Sequence, residues 1–137
     1  MGWMLLMLGL ATPEHAAAQL PTPTLSSPSN GASGVSTTPF LDWGTVLGAT
    51  VYRVFVHRSR TTLENIGPTQ TSCSGCAVNT TTSSSRYTVP SSLRLSTSTR
   101  YYWMVRAGSS TAGSPNSSIW SFTTEAGSLP PPTLSSP

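Results

Sequence analysis

Apolar and polar side chains alternate along several short stretches of this 137-residue chain, and a period of two is typical of β-strands rather than helices. In the clearest stretch, every second position from 101 to 107 is apolar: Tyr101, Trp103, Val105 and Ala107. Related stretches lie at 39–43, 51–57, 86–89 and 119–124, bounded by clusters of Gly, Pro, Ser, Asn or Thr. Because no helical pattern separates them, they predict an all-β, antiparallel two-sheet sandwich.

The chain is weakly charged, which limits the classes of partner it suits. Charged residues make up 8% of the sequence, against about 25% in typical domains. The net charge is +3, and all seven basic residues are Arg. Because these arginines are scattered and not clustered, no nucleic-acid-binding surface is predicted.

The first 18 residues have the features of a signal peptide. The apolar run at 3–10 is too short to span a bilayer, and three alanines at 16–18 supply a cleavage pattern before Gln19. No Lys or Arg precedes the run, so an apolar leader without export or a misassigned start are the alternatives. We expect a secreted or cell-surface protein without a membrane span.

One nine-residue segment occurs twice. The segment 20–28 returns at 129–137 with eight of nine positions identical, and the second copy begins 109 residues after the first. This period matches one sandwich domain plus a linker. Three prolines at 130–132 favour an extended, semi-rigid spacer. We therefore interpret 125–137 as a linker and the start of a second repeat, and expect neighbouring domains of the same longer chain as partners.

Four stretches with defined residue spacing resemble one family of domains. They are the first strand and turn at 22–35, the pair Leu41 and Trp43, the alternating segment at 52–56, and the long alternating run at 95–107. In these features, and in the closing strand at 120–124, the chain resembles fibronectin type III-like domains of the tandem kind found in secreted prokaryotic proteins. The resemblance implies an immunoglobulin-like topology over 19–124, but says little about function, since this fold has many roles.

The same resemblance implies a tyrosine corner. Leu95 would pack beneath the chain, and the hydroxyl of Tyr101 would return to the backbone and tie two strands across the sandwich. The family often has Pro where this chain has Thr97. The full predicted core is Leu41, Trp43, Tyr52, Val54, Val56, Leu95, Tyr101, Trp103, Val105, Trp120 and Phe122.

The two cysteines, Cys73 and Cys76, form a C-x-x-C pair. A redox motif or half of a zinc site are the alternatives, but no second pair and no βαβ pattern accompany it. In an exported chain we predict a disulfide. Closing so small a loop contributes at most about 2 kcal/mol. Its expected role is to stiffen the Thr/Ser-rich insertion at 67–85, which would otherwise be mobile.

Groups suited to catalysis are few. Of four acidic residues, Glu14 lies in the leader and Glu125 in the linker, which leaves Asp42 and Glu64. That is too few for a convincing pair of catalytic carboxylates. His57 has no evident acid partner, and no serine has a nucleophile motif around it. No catalytic, cofactor-binding or metal-binding residue is therefore predicted, and the chain is not expected to be an enzyme.

Strand parity predicts an outer strip on one sheet. If the core residues of the strands at 51–57 and 101–107 point inward, their neighbours point outward: Arg53, Phe55, His57, Tyr102, Met104 and Arg106. An exposed apolar strip flanked by arginines is typical of interaction sites. Two alternatives remain open: the strip stabilises the outer sheet face through cross-strand pairs, or the cysteine-containing insertion covers it.

These observations leave three hypotheses of function. The first is a non-catalytic extracellular spacer or interaction module in a modular secreted or surface protein. The second is a domain that binds polysaccharide or a surface protein through the outer strip or the loop at 108–118. The third is a subunit that self-assembles by exchanging the terminal strand segment at 133–137.

Overall fold

A computed structural model describes residues 19–127 of the chain. The predicted signal peptide and the predicted second repeat from Leu129 lie outside the described residues. The described part contains eight strands: β1 (Leu25–Ser27), β2 (Ala32–Val35), β3 (Phe40–Trp43), β4 (Val51–His57), β5 (Val78–Thr82), β6 (Arg86–Thr88), β7 (Arg100–Gly108) and β8 (Trp120–Thr124). One sheet has the order β1-β3-β6 and the other β2-β8-β7-β4-β5, so the predicted two-sheet β-sandwich is confirmed.

One strand pair departs from the antiparallel prediction. β2 lies parallel to β8, with Ala32 opposite Phe122, whereas β1 pairs with β3 in the other sheet. The chain therefore crosses between the sheets in the few residues after β1. Gly31 and Gly34, with φ of 86° and 65°, allow this crossing because glycine adopts positive φ without a steric penalty. The sequence pattern did not reveal that β1 and β2 belong to different sheets, since β2 has no apolar alternation.

The main core lies between the two sheets. Trp43 is its centre: its ring is 5.5 Å from that of Tyr52 and 6.4 Å from that of Trp103. Of the residues predicted for the core, all are buried except Trp120, which is half-buried and packs against the cluster's edge. Period-two alternation thus located the inward faces because both sheets bury them against each other.

The hydroxyls of two tyrosines each accept a hydrogen bond from the backbone of a loop. The hydroxyl of Tyr101 accepts a hydrogen bond from the backbone N–H of Ser96 at 2.9 Å, which is the geometry expected for a tyrosine corner. The hydroxyl of Tyr52 does the same for the N–H of Val46, also at 2.9 Å. The second anchor was not predicted. Each hydroxyl satisfies a donor in a loop and fixes that loop against the core.

The two ends of the described chain lie at opposite poles of the sandwich. The N–H of Leu20 donates to the carbonyl of Gly113, in the loop after β7, at 3.0 Å. At the other pole, β8 ends beside the first residue of β7, where Arg100 pairs with Thr123. The nine residues of β7 separate these poles by about 30 Å. We call them the entry pole and the exit pole.

A short helix, α1 (Arg60–Glu64), follows β4, although no helix was predicted there. The side chain of Ser59 caps it by accepting a hydrogen bond from the N–H of Thr62. The insertion at 67–85 also contains regular structure, because β5 pairs along β4 from Val78 to Thr82. Within residues 19–127, no helix is long and apolar enough to cross a membrane.

Candidate functional site

The prediction of an exposed outer strip is wrong for its apolar residues. Phe55 is 0% exposed and Met104 is 1% exposed, and they form a second cluster with Leu63 and Ile66. Tyr102 is half-buried against this cluster. Parity placed these side chains correctly on the outer face of the five-stranded sheet. That face is not free, however, because the segment 58–77 folds back over it.

This segment, which we call the outer cap, consists of α1 and the cysteine-containing loop. Leu63 reaches down from α1, and Ile66 follows it three residues later on the same side. Cys73 and Cys76 pack against the far side of the cluster and are joined by a disulfide. The cap therefore adds a third layer to the sandwich. This agrees with the alternative reading of the sequence, in which the cysteine-containing insertion covers the outer strip.

Arg106 binds the outer cap to the sheet. Its side chain lies over the ring of Phe55, with the guanidinium carbon 5.4 Å from the ring centroid. The guanidinium donates to the carbonyls of Gly67, at 3.0 Å, and Gln70. Burial lowers the pKa of Arg106 and the nearby charge of Arg53 lowers it further, but an arginine remains protonated at ordinary pH. Arg106 is thus buried and structurally engaged, not exposed as predicted.

Arg53 and His57, the other polar members of the outer strip, are also engaged. Arg53 donates to the side-chain oxygen of Asn79 at 2.8 Å. The Nδ1 of His57 accepts from the N–H of Ser59 at 2.8 Å, and its Nε2 lies 3.0 Å from the carbonyl of Ser74. Since a carbonyl can only accept, Nε2 is the donor and Nδ1 the acceptor in these two contacts. His57 therefore positions the cap and has no free nitrogen.

Close packing at the disulfide loop requires a glycine. Gly75 has a φ of 80°, and a Cβ built there would lie 3.0 Å from the Nε2 of His57. An L side chain at this position would meet both backbone strain and the imidazole. The loop between the two cysteines is therefore shaped to fit His57.

The loop at 108–118, predicted as a possible recognition loop, is anchored along β7. The hydroxyls of Ser114 and Ser117 are buried and accept hydrogen bonds from the N–H groups of Ala107, at 2.8 Å, and Val105, at 3.0 Å. The N–H groups of the same serines donate back to the carbonyls of these two β7 residues. The loop thus extends the sheet where regular β8 pairing ends.

An open cleft lies at the exit pole, beside the tyrosine corner. This basic cleft has a volume of about 380 Å³. It is lined by the end of β4, the disulfide loop, the short 3-10 turn (Ser91–Leu93) with the residues after it, and the start of β7. The lining residues are His57, Arg58, Gly75, Ala77, Ser92, Leu93, Arg94, Leu95, Ser96 and Tyr101. Sequence reasoning missed the cleft because its two arginines are 36 residues apart and meet only through the fold.

The guanidinium of Arg58 is held in place within the basic cleft. Its Nη2 donates to the hydroxyl of Ser96 at 2.7 Å, and its carbon lies 5.7 Å from the centroid of the Tyr101 ring. Burial by itself raises the pKa of Tyr101, but hydrogen bonds from Ser96 and the charge and hydrogen bonding of Arg58 outweigh it, so the pKa is lowered. The positive charge of Arg58 therefore acts directly on the Tyr101 hydroxyl, which lines the cleft.

The comparisons with known proteins concern the fold. No family model matches the chain, and no curated protein matches it. Among solved structures, the chain is similar to the sixth fibronectin type III domain of human fibronectin type III domain containing protein 3, with a TM-score of 0.51 and 20% identity over 84% of this chain and 92% of that one. A fibronectin type III domain derived from the human KIAA0970 protein gives a TM-score of 0.53 and 16% identity over 94% of this chain and 96% of that one.

The chain has the fibronectin type III fold. The chain is also similar to part of an α-L-rhamnosidase of Streptomyces avermitilis, with a TM-score of 0.52 and 19% identity. The match covers 78% of this chain but 10% of the rhamnosidase chain. Within residues 19–127, no group of three or more His, Cys, Asp or Glu side chains is placed to hold a metal ion.

Proposed function

We propose that this fibronectin type III module is a non-catalytic spacer or interaction domain in a longer secreted or surface protein that carries further copies of it. The fold is that of a module. The observation that carries the proposal is that the two ends of the described part, at residues 19 and 127, lie at the entry and exit poles, about 30 Å apart. Modules connected through opposite poles form an extended rod.

The internal repeat supports the same role. The segment at 20–28 contains β1 and the contact of Leu20 with Gly113, and its sequence returns at 129–137. A second copy starting at Leu129 would enter its own sandwich as Leu20 enters this one. The Pro-rich linker before it would set the spacing between neighbouring modules.

Export is supported by two features of the sequence and structure. The leader at 1–18 has an apolar run and a cleavage pattern, and Cys73 and Cys76 form a disulfide. Disulfides persist in oxidising compartments and are rare in the cytosol. These features support the proposal that the module lies outside the cell after removal of the leader.

The size of residues 19–137 in solution tests this role against self-assembly. Light scattering across a concentration series should give a monomer at every concentration, because an independent module has no need of a neighbour. Concentration-dependent oligomers that disappear when 129–137 is deleted would overturn the spacer role. They would mean that the copied β1 segment docks on another molecule's sheet.

A further inference from the structure

We infer that the basic cleft binds an acidic saccharide through a carboxylate or sulfate group. This goes beyond the spacer role, which holds whether or not the cleft has a ligand. The cleft's volume of about 380 Å³ falls in the range of about 300–1,000 Å³ usual for small-molecule sites.

The charged groups of the basic cleft all have one sign. Arg58 and Arg94 line it, and none of the residues lining it is acidic. Within residues 19–127, Arg60 and Glu64 form an ion pair. Neither Arg58 nor Arg94 pairs with a carboxylate in this part of the chain. Guanidinium groups bind carboxylate and sulfate oxygens through two parallel hydrogen bonds. An anionic ligand would supply the missing partner.

Each of the two guanidinium groups has a side-chain contact before any ligand arrives, and that of Arg94 lies on the side of a neighbouring hollow that Glu125 also lines. Arg58 is held by Ser96 and by the ring of Tyr101, and the Nη1 of Arg94 donates to the hydroxyl of Thr37 at 3.2 Å. Thr37 is itself only 4% exposed. Each contact uses one of the five N–H donors of its arginine, which leaves the others for a ligand. Preorganisation lowers the entropy cost of binding.

The apolar surface of the cleft favours a sugar over a free inorganic anion. Leu93 is 43% exposed, one of three large apolar side chains left exposed among the described residues, and it lines the cleft, as does Ala77. The C–H face of a sugar ring can pack on such a wall while its acidic group reaches the arginines. An inorganic ion would leave this wall unused.

Two arginines on one short cleft also fit a saccharide better than a nucleic acid. A nucleic-acid strand needs a line of cations that follows successive phosphates. None of the other five described arginines lines the cleft: Arg106 is engaged at the outer cap, Arg53 binds Asn79 of β5, Arg60 pairs with Glu64, Arg86 belongs to β6 of the other sheet, and Arg100 is the exposed first residue of β7.

Backbone amide NMR of residues 19–137 tests the proposal directly. The probes are a glucuronate-containing tetrasaccharide, a neutral tetrasaccharide of equal length, and sodium sulfate at matched ionic strength. We expect the acidic tetrasaccharide to shift the amides of Gly75, Ser96 and Tyr101 in a saturable way. The neutral sugar should shift none of them, and sulfate should bind at least about tenfold more weakly because it does not contact the wall.

Substitutions separate this site from general charge attraction. Arg94→Gln should weaken tetrasaccharide binding about tenfold or more, since it removes one charge-assisted contact. Arg58→Gln should have a similar effect, but Arg94→Gln is the decisive variant because Arg94 does not support the tyrosine corner. Arg86→Gln, with the same change in net charge on the other sheet, is the control and should leave binding unchanged.

Three results would overturn the inference. They are no saturable shift at the cleft amides, equal binding of the neutral sugar or of sulfate, or equal weakening by Arg94→Gln and Arg86→Gln. None of these results bears on the spacer role, which the light-scattering series tests separately.

Discussion

At the scale of single residues, a few polar side chains fix the loops of this sandwich. Tyr101 and Tyr52 each accept a hydrogen bond from a loop N–H, and Ser114 and Ser117 do so from β7. All four satisfy backbone donors that regular sheet pairing leaves free. Removing one of these hydroxyls lowers the stability of the fold, because the buried backbone N–H that it paired is left without an acceptor.

Tyr101→Phe tests the tyrosine corner. Loss of the hydroxyl removes the acceptor for the Ser96 N–H, and we expect the free energy of unfolding in urea to fall by about 0.5–1.5 kcal/mol. Tyr102→Phe is the matched control. Tyr102 is half-buried and its hydroxyl takes no part in the corner, so its removal should change stability by less than about 0.5 kcal/mol. Equal effects of the two changes would contradict the role of the corner.

Gly75→Ala tests the shape of the disulfide loop. The alanine would have to adopt a φ of 80° with its Cβ 3.0 Å from the His57 ring, so we expect destabilisation by about 1–2 kcal/mol in thermal or urea unfolding. Gly67→Ala, in open space and without positive φ, should be neutral or nearly so. If the two variants were equally stable, the loop would not have the conformation described.

At the scale of elements, the outer cap is the least predictable part of the fold. Strand parity correctly assigned the inward residues of β4 and β7, because that pattern is local. Parity also placed Phe55 and Met104 on the outer face, but it could not reveal that another element covers that face. Burial there depends on a contact with α1, and the only signal was Leu63 and Ile66 three residues apart after the capping Ser59.

Leu63→Ala tests whether the outer cap is a packed layer. Leu63 is 1% exposed, so truncation leaves a cavity in the second cluster, and we expect a loss of about 2–4 kcal/mol where the cap unfolds with the sandwich. If instead the cap opens while the sandwich stays folded, amide hydrogen exchange should accelerate mainly in 58–77, with the amides of β7 least affected. Leu47→Ala is the control, since Leu47 is 88% exposed and should tolerate the change. An effect no larger than that of Leu47→Ala would show that the cap is not packed.

At the scale of the whole molecule, fold and binding site differ in how far the sequence could predict them. The sandwich was predictable because alternation, turn residues and the pattern around Tyr101 are all local in the chain. The basic cleft was not predictable, since Arg58 and Arg94 meet only after β4 and β7 have paired. The parallel pairing of β2 with β8 was hidden for a similar reason: it joins segments about 90 residues apart.

The spacer role depends on the two ends of the described part lying at opposite poles. Pulsed electron paramagnetic resonance measures that separation directly. Spin labels would be placed on Leu47→Cys, in the loop beside Leu20 at the entry pole, and on Ala126→Cys, just after β8 at the exit pole. We predict a single distance of about 30 Å or more. A same-pole control pair, Leu47→Cys with Thr111→Cys, should give a clearly shorter distance. A distance below about 20 Å between positions 47 and 126 would contradict the head-to-tail arrangement.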